Sequence, residues 1–260
     1  MGYAKPEQLA ALSVQAGEKK ANQPLPAQIL LGFAAGAFIA IGFLLAIKVS
    51  AGVPASWGGM NGVIGAAVFL LGLILCLGAG GELLTGNMMA VPLAWFAGKV
   101  SLRQWVSNWL AITIGNFAGA LFVAYVFGHL VGLTEHGAAL ARMTDLSSGK
   151  LEESFFVALL SGIGCNWLVS LAVWMAYGAK DGAGFAIAIW FPTMAFVALG
   201  FQHVVANMFL IPATIFAGQA DWLDWLSNFI PVYLGNAIGG CVFVGGLYAL
   251  VYARTLKEKV

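Results

Sequence analysis

Two ionisable residues stand where the sequence offers them no obvious solvent. Glu82 interrupts an otherwise uncharged run from 49 to 98, and His203 lies inside the uncharged run from 182 to 220. A carboxylate within an apolar segment is costly enough to require a partner or a function. A neutral histidine there presents one hydrogen-bond donor and one acceptor, and it can also exchange a proton. Thr85 adds a hydroxyl close to Glu82, and Asn166 and Asn236 place amides inside the apolar runs 154–179 and 225–253. Sparse polar groups of these types, set in apolar surroundings, suit the binding and passage of a small polar solute.

The elements that position them must be long and apolar. Of 260 residues, 61% are hydrophobic and 9% charged, against roughly 45–50% and about 25% in soluble domains. That balance excludes an ordinary soluble enzyme. With 12 Lys and Arg against 11 Asp and Glu, the chain carries no electrostatic footprint for nucleic acid. A membrane-spanning helix needs about 20 residues nearly free of charge. The charged positions then delimit six segments, near 27–48, 61–97, 105–132, 154–177, 184–217 and 227–252. The predicted class is all-α, an integral membrane protein of the cell membrane.

Residues 1–24 lack the continuous apolar stretch of a signal peptide and read as an amphipathic segment. A channel-forming region is predicted at 25–253, followed by a cytoplasmic tail at 254–260. In a six-span arrangement one side carries Lys5, Lys19, Lys20, Lys99, Arg103, Lys180, Arg254, Lys257 and Lys259, and the other only Lys48, Arg142 and Lys150. The basic excess puts both termini in the cytoplasm. Cys76, Cys165 and Cys241 stand in separate apolar runs without metal-ligand spacing, so they read as packing residues, and no metal or cofactor is implied.

The chain also repeats itself at an offset of 120 positions. Asn87-Met88 and Pro92, followed by Phe96-Ala97-Gly98, match Asn207-Met208 and Pro212, followed by Phe216-Ala217-Gly218. The same offset pairs Trp105 with Trp225, Ser107-Asn108 with Ser227-Asn228, and Gly115-Asn116 with Gly235-Asn236. Two repeats, about 27–132 and 154–252, each supply three spans, and an odd number forces the second to enter the membrane in the opposite sense. Inverted repeats of this kind place substrate near the midplane, between discontinuous helices.

The discontinuities are predicted in the two overlong segments. Gly78 to Asn87 concentrates four glycines around Glu82, and Gly200 to Asn207 holds the equivalent place around His203. Glu82 is expected to cap freed backbone amides of its break, with Gly86, Asn87, Gln202 and Asn207 shaping the two loops. Glycines 32, 36, 115, 119, 235 and 239 suit close approach of helices.

Four stretches together resemble the formate/nitrite transporter family: GGELLTGNMM at 80–89, GIGCNWLVSLAVWMAYG at 162–178, GFQHVVANMF at 200–209 and IPVYLGNAIGG at 230–240. The resemblance implies an aquaporin-like protomer in a homopentamer, with one pore per protomer for small monovalent anions or their acids. It further implies a pore histidine at His203, a loop threonine at Thr85, a vestibule lysine at Lys150 and a span-four asparagine at Asn166. Constrictions would be formed by Phe69, Leu73 and Phe196 toward one face and by Leu83 toward the other. Many relatives carry Glu immediately before the pore histidine; here Gln202 stands there.

Formate is the first expectation for the solute, with nitrite or hydrosulfide as alternatives, travelling with a proton or as the neutral acid. Burying an isolated carboxylate would cost tens of kcal/mol, a cost that neutralisation avoids. An intramembrane enzyme is disfavoured because no nucleophile is placed near His203. A neutral-solute pore of the aquaporin type would carry paired Asn-Pro-Ala motifs, whereas Asn87 and Asn207 are followed by Met.

Overall fold

The computed structural model describes residues 3–252, and among these it contains helices and no strand. The tail expected at 254–260 lies outside the described residues. In chain order the helices are α1 (Pro6–Ala21), α2 (Leu25–Ala51), α3 (Met60–Gly80), α4 (Leu84–Phe96) and α5 (Leu102–Leu130). Then follow α6 (Gly137–Leu151), α7 (Phe155–Ala176), α8 (Gly182–Ala198), α9 (Val204–Phe216) and α10 (Trp222–Val251). By length and composition α2, α3, α5, α7 and α10 can each cross a membrane. The second and fifth predicted segments are each split, into α3 and α4 and into α8 and α9.

The split halves α4 and α9, 13 residues each, are the core of the molecule. Every residue from Glu82 to Ala94 and from Gln202 to Thr214 is buried. At about 1.5 Å per residue such helices reach only about 20 Å, too short for a hydrocarbon layer about 30 Å thick. They persist at depth because other helices enclose them and satisfy their ends. Outward faces are apolar instead, as with Leu110, Ile114 and Phe122 on α5.

Glycine sets how closely the enclosing helices approach. A Cβ on Gly32 of α2 would lie 3.2 Å from the Cα of Gly115 on α5, and one on Gly162 of α7 would lie 3.2 Å from the Cα of Gly235 on α10. Larger residues at these crossings would hold the helices apart. α10 closes on α4 in the same way, since a Cβ on Gly240 would meet the Met88 carbonyl carbon at 3.0 Å and one on Gly245 the Met89 oxygen at 3.1 Å.

The duplication reaches further than the 120-residue offset. α1 ends at Ala21 and α6 at Leu151, while α2 starts at Leu25 and α7 at Phe155, so these pairs stand 130 positions apart. α1 packs at the far end of α7, where the Ala4 amide donates to Gly178 O at 3.3 Å. α6 precedes the start of α7, and Arg142 Nε on α6 reaches Ser50 Oγ near the end of α2 at 3.3 Å. The two amphipathic helices therefore cap opposite ends of the bundle, as an inverted repeat requires.

Candidate functional site

Each break begins at a residue that only glycine adopts without strain. Gly80 (φ 94°) ends α3 and Gly200 (φ 73°) follows α8, both in the left-handed region. A wide turn precedes each: the Gly81 amide donates to Cys76 O at 2.7 Å, and the Phe201 amide to Phe196 O at 3.0 Å. Three extended residues follow before the chain resumes as α4 or α9.

Asparagines from the third span of each half tie the breaks down. Asn116 Oδ1 accepts the Leu84 amide at 2.9 Å, while its Nδ2 donates to Glu82 O at 2.9 Å and Gly32 O at 2.7 Å. Asn236 repeats this with the Val204 amide, Gln202 O and Gly162 O, all at 2.9 Å. Asn87 Nδ2 donates to Glu82 Oε2 at 2.9 Å and Asn108 Oδ1 at 3.0 Å; Asn207 Nδ2 donates to Gln202 Oε1 at 2.7 Å and Asn228 Oδ1 at 2.8 Å.

These bonds correct several expectations. Glu82 caps no backbone amide; its carboxylate accepts from Lys20 Nζ at 2.9 Å, Gln23 Nε2 at 3.3 Å and Asn87 Nδ2 at 2.9 Å. The amides are capped by Asn116 and Asn236, because a rigid amide on a neighbouring span reaches both the freed N–H and a carbonyl. Gly86, Asn87 and Asn207 belong to the first turns of α4 and α9 rather than to the loops, since the helices resume at Leu84 and Val204. In the sequence Asn108, Asn116 and Asn228 stand out only as repeated positions, and that repetition is the signal of their shared task.

Where the two half-helices meet, Thr85 Oγ1 lies 3.1 Å from His203 Nε2. His203 Nδ1 accepts the Ala206 amide at 3.0 Å, an N-cap to α9. A backbone N–H can only donate, so in the neutral ring the proton resides on Nε2 and points to Thr85. Thr85 keeps its own hydroxyl hydrogen to donate elsewhere. Phe196 stacks on the imidazole with centroids 5.5 Å apart, and Phe69 meets Phe196 edge-on at 5.7 Å.

His203, Leu83, Leu73, Phe69 and Phe196 line one chamber together with Ile39, Val169 and Thr193, and it has no room for a water-sized sphere. Beyond Phe69 and Phe196 lies a vestibule of about 90 Å³ lined in part by Lys150, Arg142 and Phe201. On the other side of the break, Lys20, Gln23, Glu82 and Tyr177 border a wider cavity of about 310 Å³. Asn166 and Asn236 do not line the chamber. Asn166 Nδ2 donates to Thr85 O at 3.2 Å and Asn236 O at 2.7 Å, and its Oδ1 accepts from Ser170 Oγ at 3.3 Å, so both amides are occupied within the protein.

The two mouths differ in charge. Lys20 is paired with Glu82 at 2.9 Å; burial alone would lower its pKa, but Glu82, with Tyr177, outweighs it and holds the ammonium above its ordinary range. Lys150 donates to the carbonyls of Gly200 and Phe201 and makes no ion pair among the described residues. Burial pushes its pKa down, with Cys165 and Glu153 opposing. Gln202, the counterpart of Glu82, gives Nε2 to Lys150 O at 3.0 Å and supplies no charge.

Residues 7–250 match the family described as formate/nitrite transporter. The chain is 55% identical to the uncharacterized transporter YrhG of Bacillus subtilis (strain 168), over 100% of this chain and 97% of that protein. It is 53% identical to the formate channel BtFdhC of Bacillus thuringiensis, over 98% of each chain. Among solved structures, a pentameric formate channel with formate bound superposes with a TM-score of 0.79 at 32% identity, covering 88% of this chain and 98% of that one. The chain is a multi-pass membrane protein and belongs to the formate/nitrite transporter family, a family of transporters and not of enzymes.

Proposed function

We propose that this protein conducts a small monovalent anion, formate first, between the two vestibules and past the Thr85–His203 pair. The observation that carries this reading is the meeting of two buried half-helix N-termini at a hydroxyl and an imidazole, the imidazole lining a chamber whose other walls are apolar apart from Thr193. Helix N-termini carry partial positive charge and favour an anion. Lys150 attracts the solute at one mouth, Phe69 and Phe196 strip its water, and Leu83 guards the opposite side. Thr85, its oxygen engaged by His203, turns its hydrogen to the arriving carboxylate. Asn166 and Asn236 hold Thr85 and the second break in place.

In this arrangement His203 is a hydrogen-bond donor, not a proton source: giving up the Nε2 proton would leave an imidazolate. The accompanying proton is therefore taken up from vestibule water, and the solute crosses the chamber as the neutral acid. The relatives named as formate channels support formate as the solute, and the pentameric neighbour supports a pentamer with one path per protomer. The excess of basic residues on the α1 side supports cytoplasmic termini.

Purified protein in liposomes, loaded with a pH-sensitive dye, tests this. Formate uptake is expected to rise as external pH falls and to be accompanied by interior acidification, with nitrite and hydrosulfide competing more weakly. Electrogenic formate flux without proton movement would refute passage as the acid. Water or glycerol conduction without formate uptake would refute the anion reading altogether.

A further inference from the structure

We infer that Thr193 on α8 is a second substrate-positioning hydroxyl of the chamber, selecting solutes that offer two oxygens; this rests on the reading that a small carboxylic acid crosses there. Thr193 is fully buried, and its Oγ1 has no hydrogen-bond partner among the described residues. Threonines inside helices ordinarily return the hydroxyl to the carbonyl four residues back. Thr113 does so to Trp109 O at 2.6 Å, and Thr214 to Leu210 O at 2.8 Å. Thr193 does not bond to Ile189, and it lines the chamber beside His203 and Leu83.

An uncommitted buried hydroxyl weakens the fold unless something else engages it. His203, the other polar residue lining the chamber, does not: its two ring nitrogens are engaged by Thr85 and the Ala206 amide. A carboxylic acid carries a carbonyl oxygen that accepts and a hydroxyl that donates, so the first can take the Thr85 hydrogen while the second gives its hydrogen to Thr193 Oγ1. Hydrosulfide, crossing as its acid, has a single weakly hydrogen-bonding atom and gains little from the second hydroxyl. Thr193 thus separates the acids of small oxyanions from those of spherical or sulfur anions.

The test uses the full-length protein in liposomes, comparing wild type with Thr193→Val, which keeps the shape and removes the hydroxyl, and Thr193→Ser, which restores it. Thr193→Val is expected to raise the half-saturating formate concentration about 3- to 10-fold, the effect of one hydrogen bond, with hydrosulfide flux unchanged and Thr193→Ser close to wild type. Equal losses for formate and hydrosulfide, or no change for either, would overturn the inference. So would failure of Thr193→Val to assemble, because the hydroxyl would then have a structural partner. Nitrite, with two oxygens, is run alongside. If wild type passed nitrite and not formate, the substrate reading would fail while Thr193→Val must still weaken nitrite selectively.

Discussion

Replacing Glu82 distinguishes a charge needed for the fold from a shape needed for the fold, because the protein contains its own neutral version of the site. Glu82 and Lys20 are 7% and 14% exposed at their side chains and 2.9 Å apart. Glu82→Leu strips the carboxylate from Lys20, Gln23 and Asn87 and leaves a largely buried ammonium uncompensated, a loss of about 3–5 kcal/mol. Glu82→Gln has a template at the matching position: Gln202 accepts from Asn207 and donates to Lys150 O, while Lys150 Nζ is satisfied by the carbonyls of Gly200 and Phe201. If glutamine at 82 adopts the same pattern toward Asn87 and Lys20 O, with Lys20 turning to the carbonyls of Gly80 and Gly81, the loss falls to about 1–2 kcal/mol. At about 2–4 °C per kcal/mol for chains near this size, melting in detergent should drop by about 6–20 °C for leucine and about 2–8 °C for glutamine. Adding Lys20→Met to Glu82→Leu should recover most of the loss, since an apolar pair replaces a buried ion pair at little cost. Equal damage from leucine and glutamine, or additive losses in the double variant, would refute the reasoning.

Three further variants probe the same network. Asn236→Ala frees the Val204 amide and two carbonyls in a fully buried place and should cost about 2–4 kcal/mol; Asn116→Ala should cost a similar amount in the same melting assay. Gln202→Glu would put a carboxylate beside Lys150 and remove the charge difference between the mouths, so low-concentration formate uptake from the α6 side should fall, and the deficit should shrink as salt is raised from about 0.01 M to about 0.15 M.

What was legible in the sequence lies where the repeat keeps its register. The 120-residue offset pairs Gly80 with Gly200, Asn87 with Asn207 and Asn116 with Asn236, and the structure turns each pair into the same backbone turn or the same hydrogen bonds. The pairing of α1 with α6 falls outside that offset because the first half has ten more residues between the start of its first span and its break, which shifts the register to 130. Glu82 stands out in the sequence for its charge, but two of its partners, Lys20 and Gln23, come from the amphipathic segment 1–24, whose pattern gives no sign of them. Thr193 gave no signal, because one threonine in an apolar helix looks like any that bonds to its own backbone. Partners drawn from other spans, and a hydroxyl that lacks one, become visible only in three dimensions.

The closure of α4 by α10 bears on how the protein is made. The wall that seals Met88 and Met89 is built from Gly240 and Gly245, almost the last residues of the spanning region to leave the ribosome. α4 is too short to sit alone in lipid, so the nascent first half cannot be completed on its own. It must be held by the insertion machinery, or in a water-filled space, until about 150 further residues have been synthesised and inserted. A chain arrested before α10 therefore holds an unwalled half-helix rather than half a pore, a lesion that membrane quality control can recognise.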